Sequence, residues 1–160
     1  MSKMKSVLVD NSFVTRLLKS DDEYHGNVVE YFQYFLDQGI DMMLSTIVVS
    51  EYAAADDPDN LLALKAFQLL EFDYLDAKIA GDYFAFLKND PELRQSEERK
   101  VIINDLKLFA QIKNREIDAF ISKDRRALTR MIEPLRLHRG LSFEFIDLSD
   151  PLSAYLGKLF

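Results

Sequence analysis

Four acidic residues occupy positions in this sequence where a carboxylate could do chemistry. Asp10 and Asp124 each follow a short apolar run typical of a buried strand, whereas Glu51 and Asp105 lie in segments of helical periodicity. The chain has no cysteine and two histidines, so a metal bound to it would be ligated mainly by oxygen. Oxygen ligands suit hard cations such as Mg²⁺ and Mn²⁺. Cysteine-ligated zinc and iron–sulfur sites are excluded.

Asp105 has the most unusual surroundings of the four acids. In a helix its neighbours three and four residues away would all be apolar, namely Val101, Ile102, Leu108 and Phe109. An unpaired carboxylate on such a face costs several kcal/mol unless a cation or hydrogen bonds compensate it. A bound metal would be sufficient compensation, and a buried salt bridge is the alternative.

The other three acids also have ordinary structural explanations. Asp10 could be a turn or cap residue, although Ser12 is equally able to cap the next helix. Glu51 lies near a predicted helix start, where the dipole favours negative charge by about 0.3–1 kcal/mol. Asp124 could be a helix N-cap, a role worth about 1 kcal/mol. The argument for chemistry therefore rests on the set, because carboxylates from different elements are what a hydrated, octahedral Mg²⁺ or Mn²⁺ site requires.

Short apolar runs alternate with helical segments along the chain. Strands are predicted at 6–9, 42–44, 72–75, 119–121 and 142–146. Helices are predicted at 13–18, 24–38, 46–52, 60–71, 77–88, 101–113, 125–133 (ended by Pro134) and 150–159, with a loop or flap at 89–100. This alternation predicts a single α/β domain over 1–160, a three-layer α/β/α sandwich with a central, mainly parallel sheet. Functional residues are expected beyond the carboxyl ends of its strands.

Composition and charge limit the function further. A net charge of −7 disfavours unspecific coating of nucleic acid, because phosphates attract an excess of lysine and arginine. A local excess of basic residues between 123 and 139 is read as a phosphate-contacting surface, and a solvated helix face explains it about as well. Neither a signal-peptide core nor a run of roughly 20 apolar residues is present, so we expect a soluble, cytoplasmic protein that does not enter a membrane.

Four short motifs, in this order, resemble the PIN-domain family of the VapC-like toxin ribonuclease type. They span nearly the whole chain: Val-Leu-Val-Asp10-Asn-Ser12, Ser45-Thr-Ile-Val-Val-Ser-Glu51, Asn104-Asp105, and Ile121-Ser-Lys-Asp124. The resemblance implies that Asp10, Glu51, Asp105 and Asp124 are the catalytic metal ligands, assisted by Ser12, Asn104 and Ser122. It also implies a Mg²⁺- or Mn²⁺-dependent endoribonuclease acting on RNA, with an antitoxin protein as partner in many bacterial members.

The sequence departs from the family pattern at two places. Many relatives carry another acid two residues after the fourth, where this chain has Arg126, so a complete second metal site is not expected. The chain also has extra length around 76–100. Two other functions remain open: a catalytically inactive PIN-like binding or scaffold protein, and a metal-dependent phosphatase of another α/β family. The phosphatase is less favoured, because Asp10-Asn-Ser12 lacks the second aspartate that haloacid-type phosphatases need.

An aromatic stripe in the predicted helix 24–38 has two interpretations. Core packing is favoured, and the alternative is a docking surface for an antitoxin helix or for a second copy in a homodimer. The residues are Tyr24, Tyr31, Phe32, Tyr34 and Phe35.

Overall fold

The computed structural model describes residues 3–89, 99–126 and 128–158. Within these ranges, five strands form one parallel sheet in the order β3-β2-β1-β4-β5, flanked by helices in a three-layer α/β/α arrangement. The fold class predicted from the sequence is therefore confirmed. The strands are β1 Ser6–Val9, β2 Asp41–Ser45, β3 Phe67–Leu70, β4 Ala119–Ser122 and β5 Glu144–Asp147.

The described helices alternate with the strands. They are α1 Asn11–Leu17, α2 His25–Asp37, α3 Thr46–Ala53, α4 Asp59–Leu62, α5 Tyr74–Leu87, α6 Arg99–Arg115, α7 Glu133–Arg139 and α8 Leu152–Gly157, with a π-helical turn at Leu128–Ile132. Helix α5 packs along α6, and α1 packs against α2 and α3. No helix in the described ranges is long and apolar enough to cross a membrane.

The segment from 59 to 75 differs from the sequence prediction. Helix was predicted over 60–71, but α4 is a single turn and Phe67–Leu70 forms the edge strand β3, paired with β2. Lys65 has a positive φ of 53° between these two elements, which a continuing helix would not allow. The leucine-rich pattern of residues 60–71 suits either a helix or a strand. Pairing with β2 favours the strand at Phe67–Leu70. The predicted strand at 72–75 is also wrong, because the Asp73 side chain caps α5 in a capping box.

The helix after β4 does not end at Pro134. That residue lies in the first turn of α7, where a missing N–H is tolerated because the first turn has no intrahelical acceptor for it. The helix continues to Arg139 and ends at Gly140, whose φ of 66° lies in the left-handed region. The predicted flap at 89–100 falls mostly on residues 90–98, outside the described ranges.

The core lies on both sides of β1 and β4. Val7, Leu8 and Val9 of β1 are fully buried, and so is the ring of Phe120 in β4. Phe120 lies at the centre of an aromatic cluster, with its ring centroid 5.6 Å from that of Phe109. The centroids of Phe143 and Phe145 lie 6.3 and 6.1 Å away. Since β4 also carries Ser122 at its carboxyl end, this cluster holds the strand that leads into the site.

We expect Phe120→Ala to lower the free energy of unfolding by about 3–5 kcal/mol, because it leaves a cavity in the aromatic cluster. Urea denaturation followed by circular dichroism measures the change. Leu137→Ala is the control, since Leu137 is 78% exposed on α7 and its truncation should change stability by no more than about 0.5 kcal/mol. Equal effects of the two variants would contradict this assignment of the core.

Candidate active site

The order in which the chain adds strands to the sheet reverses between β1 and β4. From β1 the chain runs to β2 and β3 on one side and then returns to β4 on the other side. In open α/β sheets a crevice forms at such a switch point, beyond the carboxyl ends of the strands. The pairing of Val9 with Ile121, and the hydrogen bond from Asp10 N–H to the Ile121 carbonyl at 3.2 Å, bring Asp10 opposite Ser122 at this place.

The Asp10 carboxylate accepts two hydroxyl hydrogen bonds. Ser12 Oγ donates to Asp10 Oδ2 at 2.8 Å, and Ser122 Oγ donates to the same oxygen at 2.7 Å. Asp10 stands at the N-cap position of α1, yet its side chain makes no capping hydrogen bond. The ordinary explanation of Asp10 as a side-chain cap is therefore wrong. The carboxylate faces the two serines.

The same two hydroxyls also hold the loop that follows β4. Ser122 Oγ accepts the backbone N–H of Asp124 at 3.0 Å, and Ser12 Oγ accepts that of Lys123 at 3.1 Å. Each hydroxyl thus donates to Asp10 and accepts from the loop, which uses both hydrogen-bonding capacities of a serine. Asp10, Ser12 and Ser122, three of the residues predicted from the sequence, form one connected unit.

Glu51 has an uncompensated buried oxygen. Burial raises the pKa of its carboxyl above the usual value, and the negative charge of Asp10 raises it further. The Asn104 side chain opposes part of this rise through a hydrogen bond. Oε1 is buried and has no hydrogen-bond partner among the described residues. A buried carboxylate oxygen without a donor, beside a second carboxylate, is an arrangement that a cation would stabilise.

Asp105 and Asp124 are placed differently from each other. Asp105 is 9% exposed on α6, next to Asn104, so the buried position predicted for it is confirmed. The Asp124 side chain is 32% exposed, and its Oδ1 accepts the backbone N–H of Arg126 at 3.2 Å, with Arg126 Nε 3.6 Å away. The local capping role considered for Asp124 is thus present, while its backbone is tied to Ser122.

The donor set suits a hydrated hard cation better than a closed protein cage. No three acidic or histidine side chains in the described part of the chain form a group that would enclose a metal ion. Mg²⁺ usually keeps several waters and is bound through one or two carboxylates, which Asp10 and Glu51 can supply. The residues present therefore fit the chemical type of the predicted ion.

Comparisons with solved structures are informative about the fold. VapBC2 from Rickettsia felis, bound to a DNA fragment from its promoter, matches with a TM-score of 0.59 and 14% identity over 89% of this chain and 99% of the matched chain. DNA-bound VapBC from Salmonella typhimurium gives 0.59 and 18% over 91% and 99%. A toxin–antitoxin complex from Klebsiella pneumoniae gives 0.52 and 11% over 76% and 89%.

The chain has a PIN-type fold. Identities of 11–18% make this a statement about architecture alone. No protein-family pattern matches the sequence, and no curated protein sequence matches it.

One acid at the carboxyl edge of this PIN-type sheet was missed by the sequence analysis. Asp147 ends β5 and is 9% exposed, and its Oδ2 accepts from Arg125 Nε at 2.8 Å. Arg125 also donates to Asp150 Oδ2 at 3.2 Å, which joins the loop after β4 to the loop after β5. The signal is present in the sequence, because Asp147 directly follows the predicted strand 142–146, as Asp10 follows the predicted strand 6–9.

Most members of the two other features singled out in the sequence make contacts within the fold. Several residues of the basic cluster make local contacts: Arg125 and Arg126 with the acids named above, Arg136 with the Phe143 carbonyl, and Arg139 with Asp82. The aromatic stripe of α2 mainly packs inward, as favoured, with Tyr31 and Phe35 fully buried and its other members half-buried.

We expect Glu51→Gln to stabilise the metal-free protein at pH 8. A carboxyl whose pKa is raised by folding contributes stability at low pH and loses it as pH rises through that pKa, whereas glutamine does not ionise. The advantage of the variant should therefore shrink as pH is lowered until Glu51 takes up its proton. Chemical denaturation in EDTA, repeated at a series of pH values from pH 8 downwards, measures the difference in the free energy of unfolding between the variant and the wild type.

Glu30→Gln is the matched control, since Glu30 is exposed on α2. Because the side chain is exposed, this substitution should change the free energy of unfolding by no more than about 0.5 kcal/mol. A Glu51→Gln protein less stable than the wild type at pH 8 would mean that the Glu51 carboxylate is compensated within the fold.

Proposed function

We propose that this protein is a Mg²⁺- or Mn²⁺-dependent endoribonuclease that hydrolyses RNA phosphodiesters. The observation that carries the proposal is the unpartnered Oε1 of Glu51, buried within electrostatic reach of the Asp10 carboxylate at the switch point of the sheet. The order of the four acidic motifs resembles the PIN-domain family, and the shared fold agrees with that resemblance. Both support RNA as the substrate.

In this proposal Asp10, Glu51, Asp105 and Asp124 hold the ion directly or through water. When bound, a divalent cation of this kind lowers the pKa of a coordinated water and neutralises charge that grows on the phosphate. Since Asp124 is engaged with Arg126, it would act mainly through water in this proposal.

The chain's own residues orient the reacting groups. The hydroxyls of Ser12 and Ser122 fix the Asp10 carboxylate by donating to a single oxygen. Asn104 orients Glu51 in the same way. In the metal-free protein burial and the Asp10 charge raise the pKa of Glu51, and in the proposed site Glu51 would accept the proton of the attacking water. The proton then leaves to solvent or to the departing oxygen.

We further propose that the protein is the toxin of a toxin–antitoxin pair. The support is the shared architecture with chains of VapBC complexes and of a toxin–antitoxin complex. Expression of the wild type from a tightly regulated promoter in a bacterial host should arrest growth, because cellular RNA is cleaved. Asp10→Asn, expressed to the same level, should not. Equal growth of the two cultures would contradict the toxin role.

A rival function, binding without turnover, has its own supporting observation. Among the described residues no closed group of three metal ligands exists, and a fold can keep its acids without catalysing a reaction. Calorimetry with Mn²⁺ and a cleavage assay together separate the two functions. The rival function requires tight binding of a partner and no cleavage.

The nuclease itself is tested with purified, partner-free protein and a labelled structured RNA pool, in Mg²⁺ or Mn²⁺ and in EDTA. We expect cation-dependent cleavage by the wild type. Glu51→Gln should lower the rate by about 10²–10⁴-fold, the range for loss of a general base. Asp10→Asn should lower it at least as much.

Asp82→Asn is the matched control for the loss of an acid. Asp82 is an exposed residue of α5 paired with Arg139, outside the proposed site, so its variant should cleave at the wild-type rate. Equal cleavage by the wild type and Asp10→Asn would identify a contaminating nuclease. Absence of cleavage and of Mn²⁺ binding by the wild type would favour the rival function.

A further inference from the structure

We propose that Tyr24 and Lys123 form a subsite for one unstacked RNA nucleotide beside the active site. The Tyr24 ring would take the base and the Lys123 ammonium the adjacent phosphate. This inference rests on the proposed function and deepens it, because it assigns single-stranded RNA as the substrate class.

The backbone of Lys123 is hydrogen-bonded to the connected unit of Asp10, Ser12 and Ser122. Its backbone N–H donates to Ser12 Oγ at 3.1 Å, and that hydroxyl donates to Asp10 Oδ2 at 2.8 Å. The residue is exposed, and its Nζ lies 5.3 Å from the centroid of the Tyr24 ring. A cationic side chain and an aromatic ring are therefore placed together, the former on a residue whose backbone is bonded to Ser12, a partner of Asp10.

The ammonium group of Lys123 forms no salt bridge with a described acidic residue. No carboxylate lies within 4.0 Å of its Nζ in the part of the chain that the structure describes. The neighbouring arginines differ in this respect, since Arg125 pairs with Asp147 and Asp150, and Arg16 pairs with Asp22. Lys123 thus offers a positive charge to a phosphate without first breaking an ion pair.

The backbone of Tyr24 is held by a chain of contacts that begins at Ser12. Arg16 donates to the Ser12 carbonyl at 2.9 Å, and its Nε lies 3.2 Å from Asp22 Oδ1. That oxygen accepts the Tyr24 backbone N–H at 2.9 Å. The N–H of Tyr24 and the Arg16 guanidinium both hold the pKa of Asp22 below its usual value, so it stays ionised. The backbone of the loop before α2 is therefore fixed at Tyr24 relative to the start of α1.

A ring and an ammonium at this spacing match the chemistry of a nucleotide. Aromatic rings bind bases of single strands by stacking, which tolerates different sequences, and lysine contacts phosphates as a point charge. The side chain of Lys123 is long and flexible. Its ammonium group can therefore move off the face of the Tyr24 ring, where a base then stacks, and bind the adjacent phosphate. In a duplex the bases are already stacked on each other, so the ring cannot take one. The subsite therefore selects single strands or loops.

The test measures binding in EDTA, where cleavage is prevented, by fluorescence anisotropy with a labelled ten-nucleotide RNA and with its duplex. Tyr24→Leu and Lys123→Gln should each bind the single strand about 10-fold more weakly, whereas Tyr24→Phe, which keeps the ring, should stay within about 2-fold of the wild type. Lys123→Gln should also reduce the salt dependence of binding by about one phosphate contact. Duplex affinity should not change with Tyr24→Leu.

Phe86 and Arg139 provide a matched cation–π pair, 4.5 Å apart, at the far end of α7 from the site. Phe86→Leu and Arg139→Gln should leave RNA affinity unchanged. Thermal unfolding of each variant identifies any loss of structure, and Lys123→Gln alone keeps the test decisive because that side chain is exposed. If the wild type cleaves RNA while the Tyr24 and Lys123 variants bind like it, the subsite is wrong and the proposed function stands. If the wild type neither binds nor cleaves RNA, both are overturned.

Discussion

The sharing of one Asp10 oxygen between two serine hydroxyls is the interaction on which the rest of the site depends. It exists because β1 and β4 are neighbouring parallel strands, so the residues that follow them emerge at the same edge. Ser12 comes from the start of α1 and Ser122 from the end of β4. Each hydroxyl also accepts a backbone N–H of the loop that follows β4. One carboxylate therefore fixes two strands, a helix start and a loop relative to each other.

Gathering acids at this edge has an electrostatic cost, which the fold offsets unequally. Arg125 neutralises Asp147, and Arg126 neutralises part of Asp124, by direct contact. Among the described residues, the hydrogen bond of Asn104 is the one contribution that opposes the effects of burial and the Asp10 charge on Glu51. Structural acids are thus paired, whereas the acid in the crevice is left under strain. This pattern is typical of sites in which stability is given up for function, because a ligand supplies the missing compensation.

The sequence allowed the sheet and part of the site to be predicted for a physical reason. Apolar strands followed by polar residues identify a carboxyl edge, so the pattern predicts Asp10 and Asp124 at the same edge, whereas Ser122 is implied only by the family resemblance. The electrostatic interaction of Glu51 with Asp10 could not be predicted, because it depends on where α3 lies. Local patterns also failed at Phe67–Leu70, where pairing with β2 outweighs a helical periodicity that suits the same residues. Asp147 was missed because strand ends are uncertain by a residue or two.

The distribution of ion pairs also resolves the conflict between a net charge of −7 and a polyanionic substrate. Charges that form close pairs cancel at a distance, so Arg125, Arg139 and their acidic partners contribute little to the field that a phosphate meets at the crevice. What matters there is the local balance. Lys123 adds a positive charge in the loop that is bonded to Ser12, and a divalent cation held by Asp10 and Glu51 would neutralise the charge of those two carboxylates. An acidic protein can then bind a phosphodiester at one place while the rest of its surface repels the same polymer, which favours contact at the crevice over unspecific coating.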